Sequence, residues 1–258
     1  MIREARSSDK SIILKFCQNT FSWGDYINEV WDHWISEGSF YVVEEKKPLG
    51  IGHAVYYPDQ VWIEGIRINP KFRRLGLASK LVKNIESIAS KKNIPKLLML
   101  IDTENELSLL MASKLNYKIY QTWKFYSLPS KKNNTFEVSF GNSLQKNEHD
   151  HYVKSWRWIP LNEKEISLLV SKNNIVYSDK NGKKATCILG ESEHFDKTLI
   201  VTLFAGSDEN TKNVLLFLQN LGSEKNYKRI QILCKEPLKN FIDLEHRLSF
   251  HLMQKLLS

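Results

Sequence analysis

The residues best suited to chemistry fall in one run, Val61-Trp62-Ile63-Glu64-Gly65-Ile66-Arg67-Ile68-Asn69-Pro70-Lys71-Phe72-Arg73-Arg74-Leu75-Gly76-Leu77-Ala78. Residues 61–69 are rich in β-branched and aromatic types and read as a strand. Pro70 ends it, because proline fixes its own φ and has no N–H for a ladder. A helix is expected over about 76–90, with Leu77, Leu81, Val82, Ile85 and Ile88 on one apolar stripe. The small residues Gly76 and Ala78 at its first turn let main-chain N–H groups approach a bulky anion. Those groups have no partner inside the helix, and the helix dipole favours negative charge there. A diphosphate suits such a place, and Arg73 and Arg74 can add charge-assisted hydrogen bonds. Taken alone, Gly76-x-Ala78 is equally a packing device.

The surrounding sequence supplies the elements that must position this run. A short strand at 2–5 leads through Ser7-Ser8-Asp9 into a helix near 10–19. Ile27, Val30, Trp31 and Trp34 recur at helical spacing over 26–37, and Gly38 stops that helix. Segments 40–44 and 50–57 form a hairpin around Lys46-Lys47-Pro48-Leu49. After the 61–69 strand and its helix come a strand at 96–101, a helix at 106–115 and strands at 117–120 and 122–128. An antiparallel meander followed by helices between strands is an α+β, mixed-sheet plan.

From 130 to 151 the composition shifts to Ser, Lys, Asn, Glu and His and reads as a linker. Strands are then expected near 153–159, 175–178, 185–189 and 198–204. A helix near 211–221, a strand at 229–234 and a last helix over about 238–257 follow. The expected domains are therefore 1–129 and 152–258, joined by 130–151.

Composition bounds the function. The 258 residues are 42% hydrophobic and 26% charged, an ordinary globular balance. The net charge of +8 is spread along the chain without a basic tail, so it reads as a lysine-rich surface and not as a nucleic-acid site. Cys17, Cys187 and Cys234 make neither a CxxC pair nor a disulfide framework, so a cytoplasmic location is expected. No apolar run approaches the roughly 20 residues of a membrane-spanning helix. His33 and His53 are isolated in sequence, and no group of His, Cys, Asp and Glu has metal-ligand spacing, so no metal is expected.

Strand, Pro, Arg-x-x-Gly-x-Ala and amphipathic helix together resemble the acyl-CoA signature of the GNAT superfamily of N-acetyltransferases. A dinucleotide-binding fold fits poorly, since its glycines follow the first strand of a βαβ unit and here the loop follows the fourth strand of a meander. The resemblance extends to Ile2-Arg3-Glu4-Ala5 with Asp9, to Gly50-Ile51-Gly52, and to Asn105-x-x-Ser108-x-x-Met111-x-x-Lys114-Leu115-Asn116-Tyr117. It covers residues 1 to about 128.

The resemblance implies a GNAT fold, a mostly antiparallel central sheet flanked by helices. The activity it implies is acetyl transfer from acetyl-CoA to a primary amine, of a small molecule or alternatively of a peptide or protein. A CoA-binding protein without efficient turnover is the further alternative. The main chain of Ile66 and Ile68 is then expected beside the pantetheine arm, with the Ile68 N–H near the thioester carbonyl. Amides from Arg74 through Leu75, Gly76 and Leu77 to Ala78, with Ser79 and the side chain of Arg73, are expected around the diphosphate, and Asn105 beside pantetheine. Glu64 is the candidate base, with a structural partner of Arg67 as the alternative. Arg67 could orient a substrate carboxylate or only bind Glu64. Trp23, Trp31, Trp34, Tyr56, Tyr57 and Trp62 lie on the family's acceptor side, where core packing competes with a role as pocket walls; Trp31 and Trp62 are the expected substrate contacts.

This sequence departs from the family where a helical Tyr protonates the leaving thiolate: Ala112 stands there. Tyr117 reads as core. The C-terminal part shares the coarse plan but has Ala205-Gly206-Ser207-Asp208-Glu209-Asn210-Thr211 after its 198–204 strand, and Asp208 and Glu209 would repel a diphosphate. It is expected to be a degenerate GNAT-like domain, closing over the acceptor or making a homodimer contact.

Overall fold

A computed structural model describes every residue except 19, 21–23, 143, 145–149, 240 and 258. The chain divides into two compact units, Met1–Tyr120 with His251–Ser258, and Gln121–Phe250.

The first unit contains β1 (Ile2–Glu4), α1 (Lys10–Cys17), α2 (Ile27–Glu37), β2 (Phe40–Glu44), β3 (Pro48–Tyr56), β4 (Val61–Ile68), α3 (Leu77–Lys91), β5 (Lys96–Asp102) and α4 (Glu106–Lys114). Its sheet runs β1-β2-β3-β4-β5, antiparallel as far as β4 and parallel between β4 and β5. A parallel neighbour needs a crossover, and α3 supplies it.

Alternation along β2 divides the core. Phe40 and Val42 join Ile13, Cys17, Ile27, Val30, Trp31 and Trp34 on the α1–α2 face. Tyr41 and Val43 join Leu77, Leu81, Val82 and Ile85 of α3 on the other. Arg3 ties the start of this unit together, donating to Asp9 (2.7 Å) and Glu44 (2.6 Å). The chain's last residues belong here too. Met253 enters the α3-side core, Lys255 pairs with Glu86 (2.9 Å), and the Leu257 N–H donates to Pro95 O (2.8 Å).

The second unit holds β6 (Lys118–Leu128) from Gln121 onward, β7 (Ser139–Phe140), β8 (His151–Lys154), β9 (Arg157–Pro160), α5 (Glu163–Ser171), β10 (Ile175–Ser178), β11 (Ala185–Glu191), β12 (Thr198–Phe204), α6 (Asp208–Lys225), β13 (Arg229–Cys234) and the start of β14 (Glu245–Leu256). Its sheet order is β6-β13-β12-β11-β10-β7, with β12 and β13 parallel across α6. β8 and β9 form a hairpin whose turn residues Ser155 and Trp156 both have positive φ (48° and 65°).

The α+β plan with a second α/β unit agrees with the sequence, and some details differ. The single strand expected near 153–159 is the β8–β9 hairpin, and the strands expected at 117–120 and 122–128 are one strand, β6. The helix expected over 238–257 is strand β14. Its Leu, Met, Gln, Lys and Glu favour a helix, but its burial shows no clean alternation that would reveal a strand, and tertiary pairing overrides propensity. Helix α5 went unread, although Asn162 caps it by accepting from the Glu165 N–H (2.9 Å). The expected linker is partly ordered against the second unit: the Lys131 N–H donates to Gln219 O (3.0 Å), the Gly141 N–H to Ile175 O (2.8 Å), and β7 pairs with β10.

Candidate functional site

The geometry starts with a bulge in β4. Ile51 pairs with Arg67 and His53 with Glu64, so Gly65 and Ile66 together oppose the single residue Gly52. Gly65 has φ 63°, the left-handed region that glycine enters without penalty. Beyond the bulge β4 leaves β5, and their paired residues end at Ile63 and Met99. The Asn69 N–H donates to Leu49 O (2.8 Å), which directs Asn69 toward β3. Alternation therefore turns the main-chain groups of Ile68 to the opposite edge, where β5 pairing has ended. The carbonyls of Ile66 and Ile68 accept from Arg67 Nη1 (3.1 Å) and Arg73 Nε (3.3 Å).

That edge leads to the start of α3. Asn69 accepts from the Lys71 N–H (3.1 Å) to form a short turn over Pro70–Phe72. Arg74 (φ 64°) and Gly76 (φ 73°) then take left-handed conformations. Lys80 donates the first helical bond, to Gly76 O (2.9 Å), so the N–H groups of Leu77, Ala78 and Ser79 precede the intrahelical ladder. Arg73, Arg74, Leu75 and Gly76 are all exposed, and a Cβ at Gly76 would meet no heavy atom within 4 Å. Leu77 is buried and anchors this turn in the core. Asn105 caps α4 by accepting from the Ser108 N–H (3.1 Å), which leaves its amide nitrogen as a donor on an exposed side chain.

Glu64 sits on β4 one residue before Gly65, with 15% of its side chain exposed. Its Oε1 lies 2.9 Å from His53 Nδ1, and its Oε2 accepts from Trp62 Nε1 (2.9 Å). Arg67 pairs with Asp25 (Nε–Oδ2 2.7 Å). The Arg67 guanidinium also lies over the Tyr26 ring, 5.2 Å from its centre. Burial raises the Tyr26 phenol above its ordinary range. It also pushes the Cys17 thiol up to about 12, with the Asp25 charge adding to it. Both therefore stay protonated at neutral pH.

The aromatic residues divide. Trp31 is fully buried against Phe40 (5.0 Å between centres) in the α1–α2 core. Trp62 is buried, and its N–H donates to Glu64. Trp34 stacks on His53, 4.5 Å and 7° apart. Tyr56 is half-buried with its hydroxyl 3.4 Å from that of Tyr41, Tyr57 is half-buried, and Trp23 lies outside the described residues. Ala112 is fully buried, and Tyr117 belongs to the core as read.

His53 and Asp25 are the residues the sequence reading missed. Counting outward from the turn after Tyr56 pairs Tyr56 with Val61, then His53 with Glu64, so the hairpin register held the signal for His53. Asp25 is far from Arg67 in sequence and carries no comparable signal.

The second unit's corresponding helix start is built differently. The Ser207 N–H donates to Lys183 O (2.7 Å) and the Gly206 N–H to Thr211 Oγ1 (3.1 Å). A Cβ at Gly206 would overlap the backbone of residues 183–185. Buried Asn210 also donates to the carbonyls of Lys183 (3.0 Å) and Asn181 (3.2 Å).

Residues 10–117 match the acetyltransferase (GNAT) family. Among solved structures, the fold resembles a putative acetyltransferase from Thermoplasma acidophilum (14% identity, TM-score 0.66, all of both chains covered). It also resembles a GCN5-related N-acetyltransferase from Sphaerobacter thermophilus (12% identity, TM-score 0.67, covering 99% of this chain and 95% of that one). A putative acetyltransferase from Pyrococcus horikoshii is similar over 100% of this chain and 89% of its own (15% identity, TM-score 0.59).

Proposed function

Because the chain carries an acetyltransferase domain of the GNAT family over residues 10–117, we propose that it moves an acetyl group from acetyl-CoA directly to the primary amine of a small molecule. The observation that carries this reading is the β4 edge beyond Ile63, where the ladder to β5 has ended and which runs into an open helix start at Gly76. That arrangement fits a thioester carrier. The Ile66 and Ile68 main chain would receive pantetheine as an added strand. The N–H groups from Arg74 through Leu75, Gly76 and Leu77 to Ala78, with Ser79 and the cations of Arg73 and Arg74, would hold the diphosphate. The Asn105 amide would donate beside pantetheine.

Bound acetyl-CoA supplies the activated acetyl group. The Ile68 N–H stabilises the negative charge that develops on the carbonyl oxygen during attack. Glu64 takes a proton from the substrate ammonium, directly or through one water, before attack, since only the free amine is nucleophilic. With Ala112 where the family has a phenol, the second proton that the nitrogen loses as the intermediate collapses to the amide goes to solvent, and solvent protonates the departing thiolate. Glu64 is recessed, and a slender amine reaches it more easily than a bulky chain. The second unit is a companion without a diphosphate site of its own, because donors at its helix start are already taken, the Ser207 N–H by Lys183 O and the Gly206 N–H by the Thr211 hydroxyl.

Calorimetric titration with acetyl-CoA, followed by thiol release across a panel of small amines and peptides, tests the reading. Binding with release to small primary amines is expected. Release only with peptides would replace the acceptor class, and binding without release from any amine would remove the enzymatic reading.

A further inference from the structure

His53 is completely buried, and both nitrogens of its ring face acceptors. Nδ1 lies 2.9 Å from Glu64 Oε1. Nε2 lies 3.1 Å from the carbonyl oxygen of Gly38 and 3.6 Å from Glu37 Oε2. A carbonyl cannot donate, so the Gly38 contact requires a proton on Nε2. A neutral imidazole has one N–H only. With that proton on Nε2, a bare Nδ1 would point its lone pair at the Glu64 carboxylate. In the other tautomer a bare Nε2 would face Gly38 O and the Glu37 carboxylate. Either arrangement sets like partial charges together inside the core, where they are poorly screened. The remaining arrangement has the same proton count, with the proton on Glu64 Oε1 and donated to a neutral Nδ1. A carboxylate is ordinarily the weaker base of the two, and the Trp62 N–H on Oε2 further favours its ionised form, so the proton belongs on Nδ1.

We infer that His53 carries a proton on both ring nitrogens, and that this fixed imidazolium is the positioning residue that keeps Glu64 ionised and aimed for proton transfer. The inference rests on the reading of Glu64 as the base. The surroundings favour a cation. From α2, the Trp34 ring lies flat on the imidazole, which suits a positive charge, and Glu37 approaches Nε2 with His33 beside it (3.6 Å). From β2, Phe40 meets the ring edge-on at 6.0 Å. From β4, Trp62 binds the second Glu64 oxygen, so two N–H groups fix the plane of the carboxylate. Near Glu64 stand Tyr26 and the Asp25–Arg67 ion pair, whose charges offset each other.

In the step itself an N–H bond of the ammonium breaks, its electron pair stays on the amine nitrogen, and the proton forms an O–H bond on Glu64. His53 keeps both of its protons throughout. Glu64 returns the proton to solvent after acetyl transfer.

The test is nitrogen NMR of the full chain labelled with 15N-histidine at neutral pH, His53 being assigned through its contacts to the Trp34 ring. Both ring nitrogens should show the protonated pattern, and Glu64→Gln should convert the ring to the neutral form protonated on Nε2 alone. A neutral His53 in the parent protein overturns the inference, and so does an imidazolium that persists in Glu64→Gln. Thiol release from acetyl-CoA, using an amine that responds in the panel, separates this from the base reading. If Glu64→Gln keeps the parent rate while the ring pattern stands, the base assignment is what fails. For folded His53→Asn, the acid limb of the rate–pH profile should move to higher pH, because the carboxylate has lost its counter-charge, with KM for acetyl-CoA unchanged. An unmoved limb removes the positioning role.

Discussion

Trp34 lies against the α-carbon of Gly65, its six-membered ring occupying the place where a Cβ would stand. Gly65 also has φ 63° and sits in the bulge that separates β4 from β5. One glycine therefore permits both the left-handed backbone and the close approach of the ring that stacks on His53.

Gly65→Ala should be destabilising by about 2–5 kcal/mol, combining left-handed strain with overpacking. Urea unfolding measures this. Replacing Trp34 by Leu in the same background should recover part of the loss, since the obstructing ring is gone. No recovery would show that backbone strain alone sets the cost.

Glu64→Gln should lower turnover at neutral pH by about 10²–10⁴-fold, the usual range for a positioned base. The variant keeps the side chain's shape, and Glu64 lies on a different part of β4 from the proposed diphosphate site, so acetyl-CoA affinity should barely change. Steady-state thiol release and calorimetric titration on the same preparation check both halves. A rate equal to the parent's would remove Glu64 from the chemistry.

The strand–Pro–helix run was legible because it is local. Pro70, Gly76 and the apolar stripe of α3 lie within a few turns of one another in sequence, and each has a physical reason for its position. The Glu64 environment was only half legible. His53 could have been reached by counting hairpin register, whereas the Asp25–Arg67 pair forms through tertiary packing between the start of α2 and β4. For Trp31 the helical spacing shows that the ring faces inward, as its full burial bears out, but not whether such a ring ends in the core or at a cavity. The residues of β14 carry helix-forming types, so nothing local announced a strand.

Asp9 provides a pH dependence in the first unit. The hydrogen bonds from Arg3 are the largest influence on its carboxyl and hold it below the ordinary 3.8, with the Arg6 N–H adding to them. A depressed folded value means that the stabilisation is complete above the unfolded value and is lost as pH falls through the folded one. The parent should therefore lose Tm as pH drops below about 4. Asp9→Asn should melt lower than the parent at pH 7 and show a flatter decline over that acidic window. Parallel melting curves against pH for the two proteins would show that Asp9 does not contribute.

The last prediction concerns the two helix starts. At Gly206 a Cβ would overlap the backbone of residues 183–185, whereas at Gly76 it would meet nothing within 4 Å. Gly206→Ala should therefore damage folding of the second unit, while Gly76→Ala should cost only the roughly 1 kcal/mol of a left-handed alanine and leave acetyl-CoA binding nearly intact. Gly76→Glu adds the same Cβ and also a carboxylate beside the proposed diphosphate position. Like-charge contact costs several kcal/mol, so Kd for acetyl-CoA should rise roughly hundredfold or more with circular dichroism unchanged. The alanine variant separates backbone strain from charge and bulk. Equal acetyl-CoA affinity in Gly76→Ala and Gly76→Glu would place the diphosphate away from the start of α3, and the open β4 edge would then need another occupant.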